Sequence, residues 1–113
     1  MIGATIILYK PDMEVTERLI QSTAKQVDVI SIVDNSPVPT PISIDKENFH
    51  YHHFPRNIGI AAAHNIGLTD LHAAGCTFGM LLDQDSVIDG DLAFRLSSLF
   101  SYADLTLPTK KQG

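Results

Sequence analysis

Apolar residues in this chain fall into short blocks with two different spacings. The run Ala4-Thr5-Ile6-Ile7-Leu8-Tyr9 is continuous and rich in β-formers, and Lys10-Pro11-Asp12 closes it, which predicts a buried strand. From Met13 to about Gln26, Val15, Leu19, Ile20 and Thr23 recur at helical spacing, while Glu14, Glu17, Arg18 and Lys25 take the other face. Asp12 stands where the N-cap of that helix belongs. Val29-Ile30-Ser31-Ile32-Val33 predicts a second buried strand that ends in Asp34-Asn35-Ser36-Pro37.

The stretch 37–48 holds Pro37, Pro39 and Pro41 and predicts a loop. Phe49 to Phe54 predicts a short edge strand, and Ile58 to Ala74 a second helix carrying Ile60, Ile66, Leu68 and Leu71, with Gly75 as its stop. Phe78-Gly79-Met80-Leu81-Leu82 predicts a third core strand running into Asp83-Gln84-Asp85-Ser86. Asp91 to about Tyr102 has the spacing of a last helix, followed by a polar tail through Lys110-Lys111-Gln112-Gly113.

Strands that alternate with helices imply βαβ units, hence an α/β fold of three layers (αβα) around a mostly parallel sheet. Ligands of such sheets sit beyond the carboxyl ends of the strands. Tyr9-Lys10-Pro11, Asp34-Asn35-Ser36 and Asp83-Gln84-Asp85-Ser86 would then share one rim.

Length and charge narrow the choice of function. At 113 residues there is room for one ordinary domain, and 44% hydrophobic residues supply one core. A formal charge of −5 leaves no basic face to replace phosphate counterions, which argues against a nucleic-acid-binding domain. The single cysteine, Cys76, cannot pair within the chain and has no activating neighbour in sequence, so it reads as a small packing residue in a reducing compartment. Met1 to Tyr9 is too short to span a bilayer and lacks a basic flank, so no transmembrane segment is expected. The expected location is the cytoplasm, with a place at the inner face of the membrane left open.

Asp83 and Asp85 leave a strand one residue apart, so one carboxylate can bond a sugar hydroxyl while the other meets a metal. Hard oxygen donors in so small a number favour Mg²⁺ or Mn²⁺ with coordination sites left for a diphosphate. Most Asp-x-Asp pairs only solvate a loop or cap a helix, so this pair counts as a hypothesis. Asp34 can accept from a nucleobase N–H or a ribose hydroxyl, or serve as an ordinary Asx turn. The helix start near Asn57 can face phosphate, and the small residues from Gly59 to Gly67 suit close helix packing. His50, His52, His53, His64 and His72 lack metal-ligand spacing and read as surface or strand-edge residues.

In this order, Tyr9-Lys10-Pro11, Val33-Asp34-Asn35-Ser36, Asn57-Ile58-Gly59-Ile60-Ala61-Ala62-Ala63-His64-Asn65-Ile66-Gly67 and Leu81-Leu82-Asp83-Gln84-Asp85-Ser86 resemble the N-terminal half of family-2 glycosyltransferases. The Asp-Gln-Asp-Ser form is most similar to that of bacterial rhamnosyltransferases. The resemblance covers about Ile6 to Ser86. It implies a GT-A fold in which residues 1–103 form the nucleotide-sugar-binding part and 104–113 a polar tail, with the acceptor-binding half absent. By position, Tyr9 and Pro11 would wall the base pocket, and Asp34 would contact base or ribose. Arg56 and Asn57 would lie beside the nucleotide, Asp83 would meet the ribose side, and Asp85 the metal, Mg²⁺ or Mn²⁺. The implied donor is dTDP-rhamnose and the implied product a cell-surface polysaccharide. Family members draw their general base from the second half, so no catalytic residue is assigned and the chain alone is expected to transfer nothing. An uncovered sheet edge makes self-association a further expectation.

Other classes remain in view. A non-catalytic half-domain that binds a nucleotide or a protein would keep the same rim residues. A haloacid-dehalogenase-type phosphatase needs more sheet after its Asp-x-Asp, and a receiver-like domain needs its acidic pair after the first strand, so both fit less well.

Overall fold

A computed structural model describes residues 1–43 and 47–84, together with the backbone of residues 102–104. Its elements are β1 (Ile2–Leu8), α1 (Met13–Ala24), β2 (Val29–Asp34), β3 (Phe49–His53), α2 (Ile60–Ala73), β4 (Phe78–Asp83) and β5 (Tyr102–Asp104). They form one sheet in the order β3-β2-β1-β4-β5. The first four strands are parallel, and β5 runs antiparallel to β4.

The central strands β1 and β2 are buried on both faces, which is why their sequences are nearly continuous apolar runs. Alternation then sorts their side chains between two helices. Ala4, Ile6 and Leu8 join Ile30, Ile32, Met80 and Leu82 against Leu19 and Ile20 of α1. On the opposite face Ile7 and Val33 pack on Ala63, and Val29 packs on Leu71 and Cys76. The result is the expected three-layer α/β arrangement. Cys76 is buried there, and burial pushes its thiol pKa up, so it serves packing.

Helix α1 starts as its sequence predicts: Asp12 Oδ1 accepts from the Val15 amide at 3.1 Å. Its buried residues Thr16, Leu19, Ile20 and Thr23 keep the spacing of one helical stripe. Several boundaries differ from expectation. Strand β1 begins at Ile2 and stops before Tyr9, which is 44% exposed. Helix α2 begins at Ile60 rather than Ile58, because Gly59 has φ 88°, outside the helical region. Tyr102, expected to close a helix, opens β5. The expected helix from Asp91 otherwise lies outside the described residues.

Consecutive strands β1, β2 and β3 step in one direction across the sheet, whereas β4 returns to the other side of β1. The direction of winding therefore reverses between β1 and β4, and a crevice opens at the carboxyl ends where it does.

Candidate functional site

The rim beyond the strand ends is laced across all four parallel strands. Leu8 is in register with Asp34 of β2, and Ile7 with Asp83 of β4. The two aspartates thus flank β1 one strand to either side, their Cα atoms about 10 Å apart by strand spacing. Tyr9 crosses the crevice on one side, its amide donating to Gln84 Oε1 at 2.6 Å. On the other, the Asn35 amide donates to the Leu8 carbonyl at 2.8 Å and the Lys10 amide to Ser36 Oγ at 2.8 Å. Lys10 has φ 44°, a left-handed conformation uncommon for a side chain of its size. Its ammonium lies 5.4 Å from the centre of the Tyr9 ring.

Asp34 is fully buried, and its carboxylate works inside the chain. Oδ1 accepts from the Ser36 amide at 3.1 Å, and Oδ2 accepts from the Thr40 amide at 2.8 Å and the Tyr51 hydroxyl at 2.6 Å. Burial alone would raise the carboxyl pKa, but these bonds outweigh it and the net shift is downward. The Tyr51 phenol is pushed up to about 12, by burial first and then by the adjoining carboxylate. The pair is therefore a phenol that keeps its proton beside a carboxylate that has lost its own.

This arrangement shapes a groove of about 360 Å³ between the β1–α1 turn and the proline-rich loop, lined by Lys10, Pro11, Met13 and residues 36–41. Its walls are largely apolar and Val38 stands 73% exposed beside it. A second groove of about 400 Å³ runs between α1 and Ile42–Ser43, away from the strand ends.

The approach to α2 forms the third side of the rim. Asn57 Oδ1 accepts from the Gly59 amide at 2.9 Å, and Asn35 Oδ1 from the Ile58 amide at 3.4 Å. Arg56 and Asn57 are exposed on this segment. One turn into α2, burial lowers the His64 pKa while the charge of Asp83 works against the shift. His52 and His53 are tied into the fold, His52 to Asp70 at 2.6 Å and His53 to the Ser36 carbonyl at 2.8 Å.

Of the candidates taken from sequence, Pro11 lines the groove and Asp34 braces its far wall from behind. Tyr9 and Asp83 stand at the β1–β4 crevice, and Arg56 and Asn57 flank the start of α2. Asp85 lies outside the described residues. Asp83 is an exposed carboxylate at a strand end. Among the described residues no group of three or more His, Cys, Asp or Glu could hold a metal ion. Four residues join the site that sequence reasoning did not assign to it: Lys10, Ser36, Tyr51 and Gln84. Lys10, Ser36 and Gln84 sit inside the rim motifs. Tyr51 carries no local signal.

No protein-family model matches the sequence, and no curated protein does. Solved structures that share the fold include S. aureus TarS 1-349, with a TM-score of 0.53 and 22% identity over 85% of this chain and 31% of that one. A further structure of S. aureus TarS gives a TM-score of 0.55 and 22% identity over 86% of this chain and 20% of that one. TarS is a family-2 glycosyltransferase. This chain shares the α/β fold of those structures. It spans less than a third of either TarS chain. Among the described residues no helix is long and apolar enough to cross a membrane.

Proposed function

We propose that this chain binds a nucleotide-diphospho-sugar, with dTDP-rhamnose as the donor the sequence motifs favour, in the manner of the donor-binding part of a glycosyltransferase. The observation that carries the reading is the rim itself. The winding reversal between β1 and β4 puts Tyr9, Asp83 and Gln84 around one crevice, and a groove with apolar walls opens beside it against Pro11. In this reading Tyr9 and Pro11 wall the base pocket, and Asp34, fully buried, serves the base or ribose side through the Ser36–Thr40 wall that it braces. Arg56 and Asn57 lie along the nucleotide, Asp83 meets the ribose, and Asp85 ligates Mg²⁺ or Mn²⁺.

Such an ion, when bound, neutralises charge on the departing nucleoside diphosphate. The chain's own part is to bind and orient the donor. Transfer to a cell-surface polysaccharide acceptor requires a general base that none of these residues supplies, so the isolated chain binds without transferring. The setting is the cytoplasm.

A thermal-shift titration with thymidine diphosphate or uridine diphosphate, with and without Mn²⁺, tests this. A ligand at a hundred times its dissociation constant stabilises a fold by about 2.7 kcal/mol. Metal-dependent stabilisation that Asp83→Asn and Asp85→Asn abolish is the expected result. A folded chain that neither nucleotide stabilises would overturn it and favour a half-domain that binds protein.

A further inference from the structure

The proline-rich wall of the groove has few backbone donors of its own. Pro37, Pro39 and Pro41 have no amide hydrogen, so between residues 36 and 41 only Ser36, Val38 and Thr40 carry a backbone donor. Two of those three donate to the Asp34 carboxylate, Ser36 at 3.1 Å and Thr40 at 2.8 Å. Ser36 is held as well by the Lys10 amide at its hydroxyl and by His53 at its carbonyl, so it is the Thr40 end of the wall that depends on the orientation of this one side chain. That orientation is shared with a residue from another strand, for Thr40 and Tyr51 meet the same oxygen of Asp34.

Tyr51 is well placed to fix it. It lies on β3 in register with Ile32, on the face where Ile30, Ile32 and Asp34 also point. Its ring packs against the core beneath α1, which sets the hydroxyl in place before any ligand arrives. A carboxylate turns readily about its last torsion, which is broad and two-fold. A short bond to an anchored phenol removes that freedom.

We propose that Tyr51 is a positioning residue for the groove: through Asp34 it holds the loop Ser36–Thr40 as a preformed wall. Its effect on ligand rests on the donor-binding reading above, whereas its effect on the loop does not. Phenylalanine at 51 keeps the ring and its packing and removes only the hydroxyl. Asp34 then loses a donor and the Thr40 amide loses its fixed acceptor. Preorganised walls bind more tightly because less order remains to be imposed on binding.

The test uses the full chain, Tyr51→Phe, Asp34→Asn and the double variant. Hydrogen exchange at the Thr40 amide, read without any ligand, is expected to quicken at least tenfold in Tyr51→Phe while amides of β1 stay protected. Thymidine diphosphate is expected to bind about tenfold more weakly, and this loss should vanish in the Asp34→Asn background because both residues act through one carboxylate. Unchanged exchange at Thr40 in Tyr51→Phe overturns the proposal, as does a loss of affinity that simply adds to that of Asp34→Asn. If the unmodified chain binds no nucleotide, the donor-binding reading fails, and the Thr40 amide alone decides the positioning role. Should Tyr51→Phe not fold, the unmodified chain still tests the bond: a slowly exchanging downfield phenol proton supports it, and rapid exchange of that proton overturns it.

Discussion

Gly67 in the middle of α2 lies directly against the side chain of Thr5 in β1, so close that a Cβ at 67 would overlap Thr5 Oγ1 and Cβ. Both residues are buried, and the contact lets the helix settle onto the centre of the sheet. The depth of that seat also sets the height at which the start of α2, with Asn57 and Gly59, meets the rim.

Gly67→Ala is therefore expected to destabilise the fold even though alanine is the better helix former by about 1 kcal/mol. Overpacking of this kind costs about 1–3 kcal/mol, and here the obstructing atoms belong to a stiff β-branched side chain. Urea unfolding should show a lower midpoint at unchanged slope. A midpoint equal to or above that of the parent would mean that α2 can rise off β1 at no cost. Thr5→Ala in the same background removes Oγ1, the atom nearest the new Cβ, and should restore part of the stability.

The Asp34–Tyr51 pair predicts stability lost at both ends of the pH scale. Asp34 has a lowered folded pKa, so its contribution is complete above the unfolded value of about 3.9 and is lost as pH falls through the folded one. Tyr51 is raised to about 12, so its contribution is complete below about 10 and is lost as pH rises toward the folded value. Tyr51→Phe should abolish the loss that begins near pH 10 and move the acid limb to higher pH, because Asp34 gives up one of the bonds that depress it. Denaturation midpoints across pH check both, and an alkaline limb that survives in Tyr51→Phe contradicts the assignment.

A second, half-buried carboxylate joins three elements on the other face of the sheet. Asp70 of α2 accepts from Ser31 Oγ of β2 at 2.8 Å and meets His52 of β3 at 2.6 Å. Ser31 is fully buried, so Asp70→Ala leaves its hydroxyl unpaired in the core at a cost of about 2 kcal/mol. Removing both partners should cost less than the sum of the single changes. Chemical denaturation of Asp70→Ala, Ser31→Ala and the pair measures this, and simple additivity would count against a shared bond.

How far the sequence disclosed this architecture depends on the kind of burial. Strands β1 and β2 were legible because a parallel strand covered on both faces must be apolar along its whole length, β4 was legible as a short apolar run although Leu81 is exposed, and α1 was legible from Asp12 and the stripe ending at Thr23. The start of α2 was read two residues early because the apolar pattern continues through Ile58, whereas the backbone turns at Gly59. Strand β5 exists through its pairing with β4, a relationship between distant residues that leaves no period in three residues. The rim motifs were visible as polar strand ends. What joins them was not: nothing local marks Tyr51 as the partner of Asp34 across 17 positions, or Gln84 as the acceptor for Tyr9 across 75. The left-handed Lys10 was equally silent, since lysine carries no preference for that conformation.

The end strand β3 leads to a prediction about assembly. The Asn48 carbonyl accepts from Ile30 and the Phe54 amide donates to Asp34, so even-numbered residues of this segment turn their backbone groups toward β2. By alternation Phe49, Tyr51 and His53 direct theirs away from the sheet. A row of this kind invites pairing with another chain unless charge or proline blunts it, and β3 holds neither lysine nor proline. Sedimentation across a wide concentration range should show a reversible dimer. His50→Lys, at an exposed position on β3, should weaken that dimer without lowering the unfolding midpoint of the monomer. A monomer at every concentration would mean that this edge is protected, and the association expected from its geometry would be wrong.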